Sequence, residues 1–289
     1  MQLHPDCVVC MFQQALRIAK ATTDDQQKQW EILNRLAKEM ADLPVTTISV
    51  EIAGRIRQIV AETTGETNPY HQQKQHYNDI ALKLYPHLRE LVKNSQDPLL
   101  TAIRIAIAGN IVDFGIGDTF DLEKTVDDSL NQEFAIFDYQ EFRQQLTGVQ
   151  KILYLADNTG EIVFDRLLVE ILQKQGKQVT VAVRGGSVLN DATLEDARYV
   201  GLDEVCEVIG NGAALPGTVF SETSSQFQQH FHQADLIVSK GQGNFEGLSD
   251  MDAPLVFLLK AKCSPIAQEL GVEPGSMVFL AASKTRQLA

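Results

Sequence analysis

From residue 151 to residue 281, short and nearly uninterrupted apolar runs alternate with segments of helical periodicity. A chain patterned this way has few options other than a parallel sheet buried on both faces by helices. KILYLA (151–156), QVTVAV (178–183), EVCEVI (204–209), DLIVSKG (235–241), LVFLL (255–259) and MVFLA (277–281) read as strands. Helical patterns fall over about 160–175, 190–200 and 223–233, and Ser264-Pro265 marks one more helix start. The second half, 147–289, is therefore expected to be a Rossmann-like three-layer α/β/α domain with a mostly parallel sheet.

The first half reads differently. Ile18, Trp30, Ile32, Leu33, Leu36, Ala37 and Met40 recur at three- and four-residue steps, as do Ile80, Leu82, Leu84, Leu88 and Leu91. The stretch 98–114 reads as a buried helix closed by Gly115 and Gly117. Strand signals are scarce, so residues 1–146 are expected to form a helical domain packed on the sheet domain as a lid. Thr147-Gly148 marks the boundary.

In open α/β sheets ligands bind beyond the carboxyl ends of the strands. Here those ends carry polar residues that a plain turn does not require. KILYLA runs into Asp157-Asn158-Thr159-Gly160-Glu161, QVTVAV into Arg184-Gly185-Gly186 and then Asn190-Asp191, DLIVS into Lys240-Gly241-Gln242-Gly243-Asn244, and LVFLL into Lys260 and Lys262. Asp157, Asn158 and Asp191 offer hard oxygen donors. A small oxygen-only set that leaves room for water suits Mg²⁺ or Mn²⁺. The same pair, Asp157 and Asn158, would also serve as an ordinary strand–helix turn with a helix cap. Glu161 can support the ligands or act as a general base, whereas Asp165 reads equally as an exposed charge or a cap. Lys240 followed by two closely spaced glycines resembles an anion cradle, with Arg184 and its glycines repeating that chemistry on a second strand. The segment is neither a P-loop nor a dinucleotide fingerprint.

Cys7 and Cys10 form a CxxC pair, which supplies at most two of the four ligands of a structural zinc site. His4, Cys206 and Cys263 complete such a site only if the fold brings them close; two buried thiols are the plainer reading.

Taken together in order, these segments resemble the DUF89 family of metal-dependent damage-control phosphatases. The pieces that match are Asp6-Cys7-x-x-Cys10, Gly109-Asn110-Ile111-Val112-Asp113-Phe114, DNTGEIVFD (157–165), Arg184-Gly185 through Asn190-Asp191-Ala192-Thr193, KGQGNFE (240–246) and Lys262-Cys263. The N-terminal cysteine pair is similar to the prokaryotic branch, from which Val9 departs where proline is common. The resemblance implies a divalent metal on Asp157, Asn158 and Asp191, with Co²⁺ or Ni²⁺ as options beside Mg²⁺ and Mn²⁺. It implies phosphate contacts from Lys240 and Lys262, and a border from the helical half at Asn110. The substrate it implies is a small phosphorylated metabolite. On this reading Asp157, Glu161, Arg184 and Lys240 carry the chemistry, and Asn110, Gly241, Gly243, Asn244 and Lys262 bind substrate. Water attack and an aspartyl-phosphate on Asp157 both remain open.

The net charge of −13 disfavours phosphate backbones and anionic membranes as partners. No apolar run approaches the ~18–20 residues that span a bilayer, and MQLHPDCVVCMFQQ has neither a basic n-region nor a proper apolar core. The expected location is cytoplasmic, with reduced thiols. Two rival readings stand beside the phosphatase: an S-adenosylmethionine-dependent methyltransferase, and a metal- or ligand-binding regulator without catalysis.

Overall fold

The computed structural model describes residues 3–44, 46–109 and 130–281. Seven strands form one sheet: β1 (Phe134–Phe137), β2 (Lys151–Leu155), β3 (Gln178–Val183), β4 (Glu207–Gly210), β5 (Leu236–Lys240), β6 (Leu255–Lys260) and β7 (Met277–Ala281). Their order is β1-β7-β6-β5-β2-β3-β4, and every neighbouring pair is parallel except β6 and β7. The expected α/β/α sheet domain is thus present, extended by a reversed edge. The scarcity of strand signal before residue 146 concealed β1. All four of its residues are apolar, but the run is only four long and alternates half-buried with exposed positions, too short for periodicity to mark it as a strand.

The helices are α1 (Pro5–Thr22), α2 (Gln26–Ala41), α3 (Ser49–Thr64), α4 (His71–Asn94), α5 (Pro98–Ala108), α6 (Tyr139–Gly148), α7 (Glu161–Lys174), α8 (Leu194–Tyr199), α9 (Ser225–Gln233), α10 (Gly241–Leu248) and α11 (Ser264–Leu270). Alternate residues of each strand supply the two faces of the sheet. Ile152 and Tyr154 of β2 join Val181, Val238 and Phe279 beneath α4, α5, α6 and α7. Leu153 and Leu155 face the other way, with Ile237, Phe257 and Leu280, against α9, α10 and α11. Each such side chain taken fully out of water contributes ~1.5–3 kcal/mol, so both faces hold the sheet.

The helical half divides in two. α4 and α5 share the core of the sheet, and the reason is composition: in α5, Leu99, Ala102, Ile103, Ile105, Ala106, Ile107 and Ala108 are all buried, more apolar surface than one stripe of a solvent-facing helix presents. α1, α2 and α3 pack on one another around a separate core of Ala15, Ile18, Ile32, Leu36, Ile52 and Ile56. They meet the loops at the strand ends: Arg57 donates to the Ser187 carbonyl at 2.6 Å, Leu189 packs on their core, and Ser49 donates to Glu246 of α10. The buried stretch expected over 98–114 is helical through Ala108. Its remainder, with Asn110 and Asp113, lies outside the described residues.

The strand order reverses between β2 and β5. From β2 the chain moves to β3 and β4 and then returns to the other side of β2. At such a switch point the connecting helices depart to opposite faces and leave a crevice. Asp157 follows β2 there, and Lys240 ends β5.

Candidate metal and phosphate site

The first half of the site is a turn stitched to its neighbour. After β2 the chain passes Asp157-Asn158-Thr159 and enters α7 through Gly160, whose φ of 75° lies in the left-handed region that favours glycine. After β3 the loop 184–193 folds back alongside. The Thr159 N–H donates to the Asn190 carbonyl at 2.8 Å, the Ala192 N–H to the Asp157 carbonyl at 2.8 Å, and Asn158 and Asp191 pair as an antiparallel bridge. Backbone hydrogen bonds therefore bring Asp191 to Asp157 and Asn158 across the sequence.

Arg184 fills the space behind them. It is almost wholly buried and donates through Nε to Asp191 at 2.6 Å, through Nη2 to Asp157 at 3.3 Å and through Nη1 to Asn244 at 3.1 Å. Its planar fork fixes two carboxylates at once. Asn244 continues the network, accepting from Thr218 at 2.8 Å and donating to the Lys240 carbonyl at 2.8 Å. Neither side chain reaches solvent.

Lys240 is 0% exposed. It donates to Glu161, to Asp165 at 2.7 Å and to the Ala106 carbonyl of α5 at 2.8 Å, which uses all three of its donors. Burial works against its charge, but Asp165 and Glu161 outweigh that and hold its pKa above the usual lysine range. This placement differs from the phosphate contact that the family resemblance implies. Asp165, read from sequence as equally an exposed charge, is buried, accepts from Tyr154 at 2.6 Å, and has its pKa raised by desolvation to about 6 against the pull of Lys240. Glu161 accepts from Lys240 on one oxygen and from the Asn158 amide at 3.3 Å on the other. That amide also donates to Asp157 at 2.9 Å.

The KGQGN segment is the start of a helix, not an open cradle. Lys240 caps α10 and Gly241 opens it. Gly241 has a φ of +80°, and a Cβ there would collide with the Asp157 carboxylate. Gly243 faces away, where a Cβ would meet the Pro216 carbonyl, so it serves a close approach between backbones. Lys262 is exposed, and its charge reaches Asp157. The Cys7–Cys10 pair is not the buried pair expected: at the start of α1, Cys10 is exposed and Cys7 only half-buried. Cys7 and Cys263 lie within electrostatic reach of each other and of Cys10, with both pKa values raised chiefly by burial. Cys206 sits apart near Asp203 and Glu207.

Four buried carboxylates, Asp157, Glu161, Asp165 and Asp191, thus face two buried cations, Arg184 and Lys240. Desolvation, then Asp191 and Glu161, push Asp157 up to about 8, and desolvation also raises Asp191. One oxygen of Asp165 has no hydrogen-bond partner among the described residues. Among those residues no three His, Cys, Asp or Glu side chains are arranged to hold a metal ion. The set at hand is two carboxylates and an amide, and a divalent cation that retains water ligands fits both those donors and the excess of negative charge.

Sequence reasoning missed Lys74 and Asn78, two polar side chains buried on α4. They stand in a helix with polar residues on most sides, so no local signal separates them. It also passed over Tyr154 and Thr218, which read as an ordinary strand residue and an ordinary loop residue.

The fold and the site define a Rossmann-like α/β/α protein with an acidic, cation-braced cluster at its switch point. Residues 3–278 match the damage-control phosphatase ARMT1-like domain. The chain belongs to that family, a family of phosphatase-type hydrolases. It is 35% identical to a damage-control phosphatase of Archaeoglobus fulgidus, covering 96% of this chain and 98% of the relative. It is 34% identical to the uncharacterized protein MJ0202 of Methanocaldococcus jannaschii, covering 96% and 95%. The crystal structure of the DUF89 family protein PH1575 from Pyrococcus horikoshii superimposes with a TM-score of 0.89 at 31% identity, covering 97% of this chain and 99% of that one. No described helix is long and apolar enough to cross a membrane.

Proposed function

We propose that this chain is a metal-dependent phosphatase of small phosphorylated metabolites. One observation carries the reading: at the switch point of the sheet the protein buries two more carboxylates than cations, with Asp157, Asn158 and Asp191 side by side. Burying like charges is costly unless a cation joins them. Membership in a phosphatase family supplies the reaction class.

Asp157, Asn158 and Asp191 would hold a divalent ion such as Mg²⁺ or Mn²⁺, with Co²⁺ and Ni²⁺ as further candidates. Bound there, the ion supplies Lewis-acid polarisation of a phosphoryl oxygen and lowers the pKa of water. Arg184 holds the two carboxylates in place by donating to both, and its charge opposes the burial that raises their pKa values. Lys240 holds Glu161 and Asp165 in place, which makes it a positioning residue on this reading, and Glu161 orients the Asn158 amide. Lys262, at the surface within reach of Asp157, is the cation we assign to the phosphoryl group. The N–H groups that open α10 add partial positive charge beside it. Asn110 lies outside the described residues. A border role for it, and a lid role for the helices, stay part of this proposal.

The test is release of inorganic phosphate from a panel of phosphomonoesters, each with Mg²⁺, Mn²⁺, Co²⁺ or Ni²⁺ in turn. We expect hydrolysis that chelation removes and that Asp157→Ala abolishes. Hydrolysis equal in Asp157→Ala and wild type would overturn the site. Methyl transfer from S-adenosylmethionine without phosphate release would overturn the reaction class.

A further inference from the structure

Two side chains of α4 reach the two loops that carry the candidate metal ligands. Lys74 and Asn78 stand four residues apart, one turn on the same face, and both are buried, at 3% and 0% exposure. Asn78 Oδ1 accepts the Gly160 N–H at 2.8 Å, and its amide donates to Asp196 at 3.3 Å. Lys74 pairs with the other oxygen of Asp196 at 2.7 Å. That same oxygen of Asp196 accepts the N–H of Thr193 at 2.9 Å and its hydroxyl at 2.7 Å.

Gly160 lies two residues after Asn158, and Thr193 two residues after Asp191. One connected network therefore grips both loops just downstream of the ligands, from a helix of the other half of the chain. A buried amide and a buried ammonium are costly to place in a helix that only packs, because each must be fully paired. Their partners here are the backbone of one loop and the carboxylate that anchors the other.

We propose that Asn78 and Lys74 are positioning residues for the divalent ion: they set the separation of the Asp157–Asn158 turn from Asp191. The inference rests on the reading that these three residues hold the ion. Groups that orient metal ligands from behind typically contribute ~10–100-fold to metal affinity.

Mn²⁺ binding to the intact, substrate-free protein, followed by electron paramagnetic resonance, tests it. Asn78→Ala and Lys74→Met should each weaken Mn²⁺ binding ~10–100-fold, while turnover at saturating Mn²⁺ stays within about threefold of wild type. Lys93→Ala, at an exposed position of α4, should bind as wild type does. A merely structural role would lower the melting temperature and leave the Mn²⁺ affinity of the folded protein alone, so affinities within twofold of wild type in both variants overturn the proposal. Asn78→Ser carries the test should Asn78→Ala not fold, and loss of folding in both Asn78→Ser and Lys74→Met would assign the network to scaffold and overturn it too. Wild-type protein that binds no Mn²⁺, or Asp157→Ala that binds it normally, would instead overturn the metal assignment on which this rests.

Discussion

At the scale of single residues the site is a problem of charge. Asp157 ionises near 4 in an unfolded chain, and in the folded chain burial and its carboxylate neighbours push it up to about 8. Between those values the folded state holds a proton that the unfolded state has released, so metal-free stability falls as pH rises from about 4 to about 8. Asp157→Asn removes the ionisation. In chelator its melting temperature should exceed that of wild type, by a margin that grows from pH 5 to pH 8.5, and added Mn²⁺ should raise only the wild type. Equal melting temperatures at both pH values would refute the charge argument. The two lysines separate by the same logic. Lys240→Met leaves Glu161 and Asp165 buried without their partner and should cost ~3–5 kcal/mol of stability, measured by urea unfolding, along with activity. Lys262→Ala, at an exposed position, should change stability by less than ~0.5 kcal/mol while lowering kcat/KM. A Lys240→Met protein as stable as wild type would restore the reading in which that lysine waits for a phosphate.

At the scale of elements, the start of α10 is the tightest joint. Gly241 ends the turn out of β5 at a φ of +80° and presses its backbone on the Asp157 carboxylate. Gly241→Ala adds strain and a clash at once, so we expect loss of metal-stimulated activity and a melting temperature several degrees lower, read by calorimetry. An active, stable Gly241→Ala protein would show that the turn has room that these contacts deny. The return loop 184–193 is the second joint. Leu189 adopts a φ of 43°, unusual for a leucine, and its side chain joins the core of α1, α2 and α3. The loop that carries Asp191 is thus held on one side by the sheet and on the other by these helices.

At the scale of the whole molecule there are two cores. One encloses the sheet together with α4 and α5, and the other is built by α1, α2 and α3 with Leu189 packed against it. A unit with its own small core, joined to the rest through loops, opens at lower free energy than a central strand. Hydrogen exchange should therefore run faster in α1–α3 than in β2, β3 and β5, and metal should slow exchange in 157–160 and 184–193 most. Protection in α1–α3 equal to that of the central strands would show one cooperative unit instead. The two halves also meet the strand ends differently: α1–α3 touch them through Arg57, Ser49 and the packed Leu189, whereas α4 is bonded to Gly160 and Asp196 beside the candidate ligands.

The chain by itself determined the alternation of strand and helix, because side-chain periodicity is a local property that six apolar runs and their turns display directly. It also showed which strand ends carry charged residues, since Asp157, Arg184 and Lys240 follow those runs without interruption, and the fold buries these residues at the switch point. It did not show β1, whose four apolar residues make too short a run to read as a strand, nor Lys74 and Asn78, which look like any polar residues of an exposed helix. Only the tertiary structure decided what each polar group does. Whether Lys240 meets a ligand or two carboxylates depends on Glu161 and Asp165, dozens of residues away, and on how much water the fold excludes between them. Ionic interactions depend on distance and burial, and neither is a property of sequence spacing.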